Sequence, residues 1–318
     1  MSATAAARRP AWTELGFWAD WAAVVGLVVL VVVFQLLNST FLSLGNVEAM
    51  LVASAILIIL SVGQSFVIAT GGIDLSVAST MTFGAIMFGL AFSHGWGLPL
   101  SCVVAVVAGL FFGAANGILV SRGRITDFIV TLGSLSAASG AALILSGGKP
   151  VTIVNATLLR LSSNGIWVFG WSFIIAAVVA VIAHVALFHT KFGTHVLATG
   201  GSAEAASAMG VRTRRIKLAV YLISGLLAGL AAILLVARVG AAEPAANTSF
   251  LLNSVAAVVL GGVSLTGGRG SIVGPVVGAL LLTALNNGLT LLGVSQFWQP
   301  LSVGVVVVAA AFLARFQR

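Results

Sequence analysis

The sequence predicts an all-α integral membrane protein of about ten transmembrane helices, with broken or re-entrant helices near two Gly-Gly motifs. Three observations carry that fold class. Of 318 residues, 60% are hydrophobic and only 7% are Asp, Glu, Lys or Arg, whereas a soluble domain needs about a quarter charged residues to keep its surface wetted. Mean hydropathy is +1.17. Apolar runs of about 20 residues, the length that spans a bilayer, recur between clusters of Gly, Pro and charge. Such a composition excludes intrinsic disorder, a disulfide-stapled secreted domain and an ordinary cytosolic enzyme. The single cysteine, Cys102, can form no intrachain disulfide.

In chain order the runs fall near 18–37, 48–69, 75–92, 98–120, 125–146, 167–188, 218–237, 252–266, 271–290 and 296–314. The first begins at Trp18 and ends in Gln35-Leu36-Leu37-Asn38, so it reads as a retained helix rather than a cleaved signal peptide. The eighth is short enough for a half-helix. Residues 1–17 read as an N-terminal tail, and 18–318 as one transmembrane domain.

The net charge of +8 reflects topology rather than nucleic-acid binding, since 15 basic residues spread over this length form no binding stripe. An even number of spans puts both termini on one side. If that side is the cytoplasm, twelve of the 15 Lys and Arg residues fall inside, and only Lys149, Arg160 and Arg238 fall outside. That asymmetry predicts cytoplasmic termini. Small residues let membrane helices approach closely, so Gly109, Gly113 and Gly117, spaced four apart, predict a tight helix contact.

No engine is encoded. A phosphate-cradling loop has the form GxxxxGK[ST], and the nearest stretch, Gly147-Gly148-Lys149-Pro150, has the wrong spacing and ends in Pro. His94, His184, His189 and His195 lie in different segments, and neither HExxH nor GxSxG occurs. The expectation is a non-enzyme with no catalytic residue, no metal and no cofactor.

Asp74 lies in Thr70-Gly71-Gly72-Ile73-Asp74-Leu75-Ser76, between two apolar spans and far from any basic residue. An acid at membrane depth costs roughly 2.5–3.5 kcal/mol on insertion scales unless partnered. Two uses are open. Asp74 could cap the span that starts at Leu75, where it would favour the positive end of the helix dipole, or it could touch the transported solute or a gate. A related pattern, Gly261-Gly262-Val263-Ser264-Leu265-Thr266, recurs 190 residues later and is followed by Gly267-Gly268-Arg269-Gly270. Interrupted helices in corresponding halves of a transporter point to a substrate path, although so short a glycine-rich match also arises by coincidence.

The long inside loop, 189–217, contains a small helix derivable from local rules. Ser202 is a good N-cap, Glu204 sits in the first turn, 203–209 are mostly strong helix formers, and Gly210 is a fitting stop. Followed by Arg212, Arg214, Arg215 and Lys217, it reads either as a docking knob for a cytoplasmic partner or as a loop that only sets topology.

These stretches, taken together with Ala115-Asn116-Gly117, Gly123-Arg124-Ile125, Phe128-Ile129-Val130-Thr131-Leu132-Gly133, Lys191-Phe192-Gly193 and Asn287-Gly288-Leu289, resemble the permease subunit of ribose-type (monosaccharide) ABC importers. The similarity runs from about residue 45 to the end in the right order. It implies a ten-helix permease in the bacterial inner membrane that works as a homodimer or heterodimer of permeases, with a cytoplasmic ABC ATPase subunit and a periplasmic sugar-binding protein. It also implies that 200–217 is the loop that touches the ATPase, which makes Ser202, Glu204, Gly210 and Arg212 the candidate coupling residues. The chain departs from the family at Asp127, where Pro is usual, at Leu251 and Asn253, where acids are usual, and at Ser202, where Asn is usual.

The expected function is passage of a neutral monosaccharide or related polyol from periplasm to cytoplasm. Besides membrane lipid, the expected partners are those the resemblance implies, and nucleic acid is not among them. A sugar path should offer amides, hydroxyls and aromatic rings, so Gln64, Asn116, Asn253, Asn286 and Asn287, together with Asp74, are the substrate-path candidates. Each amide could instead serve a helix–helix hydrogen bond. The rival is an ion-coupled secondary transporter of a small polar solute, which needs titratable groups in the membrane. Asp74 is nearly the only one.

Overall fold

A computed structural model of the chain describes residues 22–245, 248–295 and 297–314. The tail expected at 1–17, and with it Arg8, Arg9, Arg315 and Arg318 of the charge argument, lies outside the described residues. The first half runs α1 (Ala22–Leu37), α2 (Leu44–Ala69), α3 (Val77–Ser93), α4 (Gly97–Ser121), α5 (Asp127–Ser146), β1 (Val151–Thr152), α6 (Ala156–Ser163), β2 (Gly165–Ile166) and β3 (Phe169–Gly170). The second half runs α7 (Trp171–Phe188), α8 (Lys191–Gly201), α9 (Ala203–Ala208), α10 (Thr213–Val239), β4 (Ala241–Ala242), α11 (Thr248–Leu260), α12 (Val273–Leu291) and α13 (Trp298–Ala314). Each apolar run read from the sequence contains a helix. Six of these, α2, α4, α5, α7, α10 and α12, are long and apolar enough to cross a membrane by length and composition.

Each of these helices contains a strongly apolar stretch, so composition alone does not say which are central. Burial does. In the most apolar stretch of each, 89% of α2 and 67% of α10 lies inside the protein, against 28% of α5 and 22% of α7. The first pair forms the spine, and the second pair presents apolar side chains outward, as lipid-facing helices do. Residues 55–60 of α2 are buried on all faces.

α10 packs along α4 and also meets α2 and α3. The expected glycine contact lies here. A Cβ at Gly109 would collide with the Gly225 carbonyl, one at Gly113 would lie 2.5 Å from the Tyr221 carbonyl oxygen, and one at Gly117 would strike Leu218. Glycines on both partners therefore remove the side chains that would hold the two backbones apart, and close packing supplies the attraction that apolar burial cannot give inside lipid.

Several expected boundaries shift by a few residues, two of them at the glycine interruptions. α11 covers Thr248–Leu260 instead of 252–266, because the Gly261-Gly262 pair ends it. The third apolar helix starts at Val77 instead of near 75, since Asp74 and Leu75 remain in the interruption.

Several small elements escape a search for apolar runs. α6 is capped by Asn155, whose Oδ1 accepts from the Thr157 and Leu158 amides at 2.9 and 3.2 Å. β1 pairs antiparallel with β4, Val151 facing Ala242, and so ties the loop after α5 to the end of α10. β2 and β3 form a hairpin. In the long loop, α8 precedes the expected short helix and is capped by Thr190.

Candidate functional site

Both Gly-Gly motifs interrupt helices in the same way. At the first, the Gly71 amide donates to Ile68 O and the Gly72 amide to Val67 O. At the second, Gly262 donates to Val259 O and Val263 to Val258 O. These paired bonds close a helix over one left-handed residue, Gly71 at φ +76° and Gly262 at φ +76°. The left-handed position is thus the first glycine of one motif and the second of the other, a one-residue offset that sequence alignment alone does not reveal. The side chains keep the sequence register. The Ser76 hydroxyl donates to Asp74 Oδ1 at 2.6 Å, and its counterpart pair, Ser264 and Thr266, shares a hydroxyl hydrogen bond of 2.8 Å.

The interruptions touch. The Gly268 amide donates to Ala69 O at 3.0 Å. The Gly200 backbone fits between them, because a Cβ at Gly200 would collide with the Ala69 carbonyl and one at Gly267 would lie 2.7 Å from the Gly71 nitrogen and 2.8 Å from the Gly200 oxygen. The end of α8, in the long loop, is therefore in direct contact with both breaks.

Asp74 is 2% exposed. It is not the N-cap expected for a span starting at Leu75. Ser76 holds that position, without a side-chain cap bond. Instead the Asp74 carboxyl ties the interruption to α10: Oδ1 accepts the Ser76 amide at 2.9 Å, and Oδ2 accepts the Ser224 hydroxyl of α10 at 2.7 Å. Gln64 Nε2 donates to the Asp74 carbonyl at 2.5 Å. Asn116 Nδ2 donates to Ser76 Oγ at 2.8 Å, and its Oδ1 accepts the Ser134 hydroxyl at 2.5 Å. Three of the path candidates, Gln64, Asp74 and Asn116, thus sit in one buried polar cluster at the first break.

A second polar group lies beside it. Lys217 Nζ is 3.3 Å from both oxygens of Asp127, and the Tyr221 hydroxyl donates to Asp127 Oδ2 at 3.0 Å. Gly72 leaves room for this carboxylate, which a Cβ there would overlap. Asp127, where the resembled family usually has Pro, therefore joins the start of α5 to α10 and the first break. Lys217 and Tyr221, four apart on one helix face, were the available signal.

The other three candidates, Asn253, Asn286 and Asn287, lie on an open cavity of about 1140 Å³ lined mainly by α2, α11, α12 and α13. Its wall also carries Arg238, Thr283, Thr290 and Gln299 among apolar residues that include Phe250 and Leu57. Ile73 and Leu75 reach it from the first break, while Asp74 between them is turned away into the polar cluster. Asn287 exchanges two 2.9 Å amide bonds with Asn46, so it also serves helix packing. Asn286 Oδ1 has no partner among the described residues. No Asp or Glu lines the cavity among the described residues. Such a wall offers donors and acceptors to hydroxyls and apolar surface to a ring face, but no carboxylate for proton coupling.

The coupling candidates lie together on the long loop. Ser202 Oγ accepts the Ala205 amide at 3.2 Å and caps α9, Glu204 is in its first turn, and Gly210 follows at φ +86°. Arg212 is exposed and precedes α10. Met209, at the end of α9, is 86% exposed.

A family described as branched-chain amino acid transport system / permease component matches residues 46–314. The chain is 36% identical over 299 residues to the ribose import permease protein of Bacillus subtilis, covering 92% of this chain and 91% of the relative. It is 37% identical over 305 residues to the ribose import permease protein of Escherichia coli, covering 91% of each. It is also 34% identical over 290 residues to the autoinducer 2 import system permease protein of Escherichia coli, covering 90% of this chain and 84% of that protein. No solved structure matches the chain.

Proposed function

Because the chain belongs to the family described as branched-chain amino acid transport system / permease component, we propose that it is the multi-pass permease subunit of a bacterial inner-membrane ABC importer, passing a monosaccharide or related polyol from periplasm to cytoplasm. A separate cytoplasmic ATPase supplies the energy and a periplasmic binding protein delivers the solute. Similarity to the ribose and autoinducer 2 import permeases supports the transport class. The observation that carries the path is the cavity walled by Asn253, Asn286 and Asn287 without a lining carboxylate among the described residues.

On this reading ten helices cross the membrane, both termini are cytoplasmic, and two permease copies pair. The cavity faces the periplasm, because it lies at the C-terminal end of α10, whereas the long loop precedes the N-terminal end of that helix. Ser202, Glu204, Gly210 and Arg212 meet the ATPase, and the contact of Gly200 with both breaks carries its movement to the base of the cavity. Gln64, Asp74 and Asn116 hold the first break in shape and do not contact solute.

Reconstitution in liposomes tests the reading. The chain alone should neither hydrolyse ATP nor concentrate sugar, and ATP-driven uptake should require the ATPase and binding protein of the same importer. Uptake by the chain alone that follows an imposed proton or sodium gradient would replace this reading with ion-coupled secondary transport.

A further inference from the structure

Arg238 lies in the last turn of α10 and lines the cavity. It forms no ion pair and no hydrogen bond among the described residues, where Lys217 with Asp127 is the ion pair present. A cation at a helix C-terminus is favoured by the dipole, but that accounts for its position and leaves its five donors uncommitted. The nearby acids do not supply a partner: Glu48 and Glu243 are outside the lining, and Asp74 is buried at the base. Arg238 is therefore a lone cation on a wall otherwise made of amides, hydroxyls and apolar groups.

The remaining polar groups sharpen the picture. Thr283 and Thr290 donate their hydroxyls to the Ala279 and Asn286 carbonyls, and Gln299 donates to Thr290. Asn287 is occupied by Asn46. Asn253 and Asn286 make no side-chain hydrogen bond among the described residues, and both share the cavity with Arg238. Among the described residues the uncommitted groups are thus one guanidinium, two amides and the exposed Ser249 hydroxyl. A guanidinium fork matches a planar carboxylate with two parallel charge-assisted bonds, while amides suit sugar hydroxyls.

Building on the reading of this cavity as a sugar path, we propose that Arg238 is a specificity residue that selects a solute bearing an acidic group, such as a sugar acid, in place of the neutral sugar that the sequence alone suggests. The test uses the full chain in lipid nanodiscs, with thermal unfolding followed against increasing sodium D-ribonate or D-ribose at matched ionic strength. Wild type should respond to ribonate at about tenfold lower concentration than to ribose, the margin expected of one charge-assisted pair. In Arg238→Gln that ratio should fall to about one, and Arg238→Lys should keep part of it, since a point charge attracts the anion without the fork. The unliganded melting curve of each variant verifies folding, and the Lys variant carries the test if the Gln variant does not fold. Equal responses of wild type to the two ligands, or a ratio that survives Arg238→Gln, overturns the proposal and leaves the sugar path standing. No response to either ligand also overturns the proposal, while the sugar path itself is decided by the reconstituted uptake.

Discussion

Ser224 of α10 donates its hydroxyl to Asp74 Oδ2 across 2.7 Å, joining residues 150 positions apart at the point where the helix before Asp74 is interrupted. Both are fully enclosed. Removing the hydroxyl leaves a buried carboxyl oxygen without its donor, which costs about 1–3 kcal/mol. Ser224→Ala should lower the unfolding free energy of the detergent-purified protein by that amount, read as a lower unfolding midpoint, and an unchanged midpoint would mean the bond contributes nothing.

The acid itself is tested by two substitutions. Asp74→Asn keeps an oxygen for the Ser76 amide and presents an NH₂ group that Ser224 can accept, so expression and transport should be largely retained. Asp74→Leu removes every acceptor that Ser76 and Ser224 use and should lose about 1 kcal/mol or more. Should Asn prove as damaging to transport as Leu at equal protein levels, the charge is needed and a purely structural role fails.

Lys217 and Asp127 are 26% and 16% exposed at their side chains, so water weakens their attraction. A double-mutant cycle with Asp127→Asn and Lys217→Gln should yield a coupling energy of about 1 kcal/mol or less, declining as salt is raised. Coupling that is zero at low salt would leave the Tyr221 bond as the sole interaction of this carboxylate with α10.

Crowding of the α4–α10 contact gives a steeper effect. Gly113→Val forces a branched side chain into the Tyr221 carbonyl and Gly225, and overpacking of this kind costs roughly 1–3 kcal/mol. Gly133→Ala is the control, because nothing lies within 4 Å of a Cβ there. A thermal-shift comparison should place the first well below wild type and the second beside it.

The long loop can be disabled without touching the apolar core. Ser202→Ala removes the oxygen that accepts the Ala205 amide, and Gly210→Val puts a β-branched residue at φ +86°. Together these changes cost about 2 kcal/mol. The double variant should insert normally yet lose co-purification with the ATPase or solute-stimulated hydrolysis. If both persist while transport continues, the loop only sets topology.

The sequence by itself determined the membrane class, the position of each apolar helix to within a few residues, the two glycine interruptions and the Ser202 cap. All of these follow from composition and from interactions within a few residues: the length of an apolar run, the backbone that Gly permits, an oxygen placed three residues ahead of an amide. Tertiary structure decided which polar groups meet. Asp127 reaches Lys217 across 90 positions and Asn46 reaches Asn287 across 241, and such pairs depend on how each helix is rotated and crossed, which no local window contains. That rotation turned Asp74 into the polar cluster and left Ile73 and Leu75 on the cavity. Likewise Arg238, counted from sequence as one of three basic residues outside, lines the same cavity as Leu251 and Asn253 of α11, neither of which brings an acid to it.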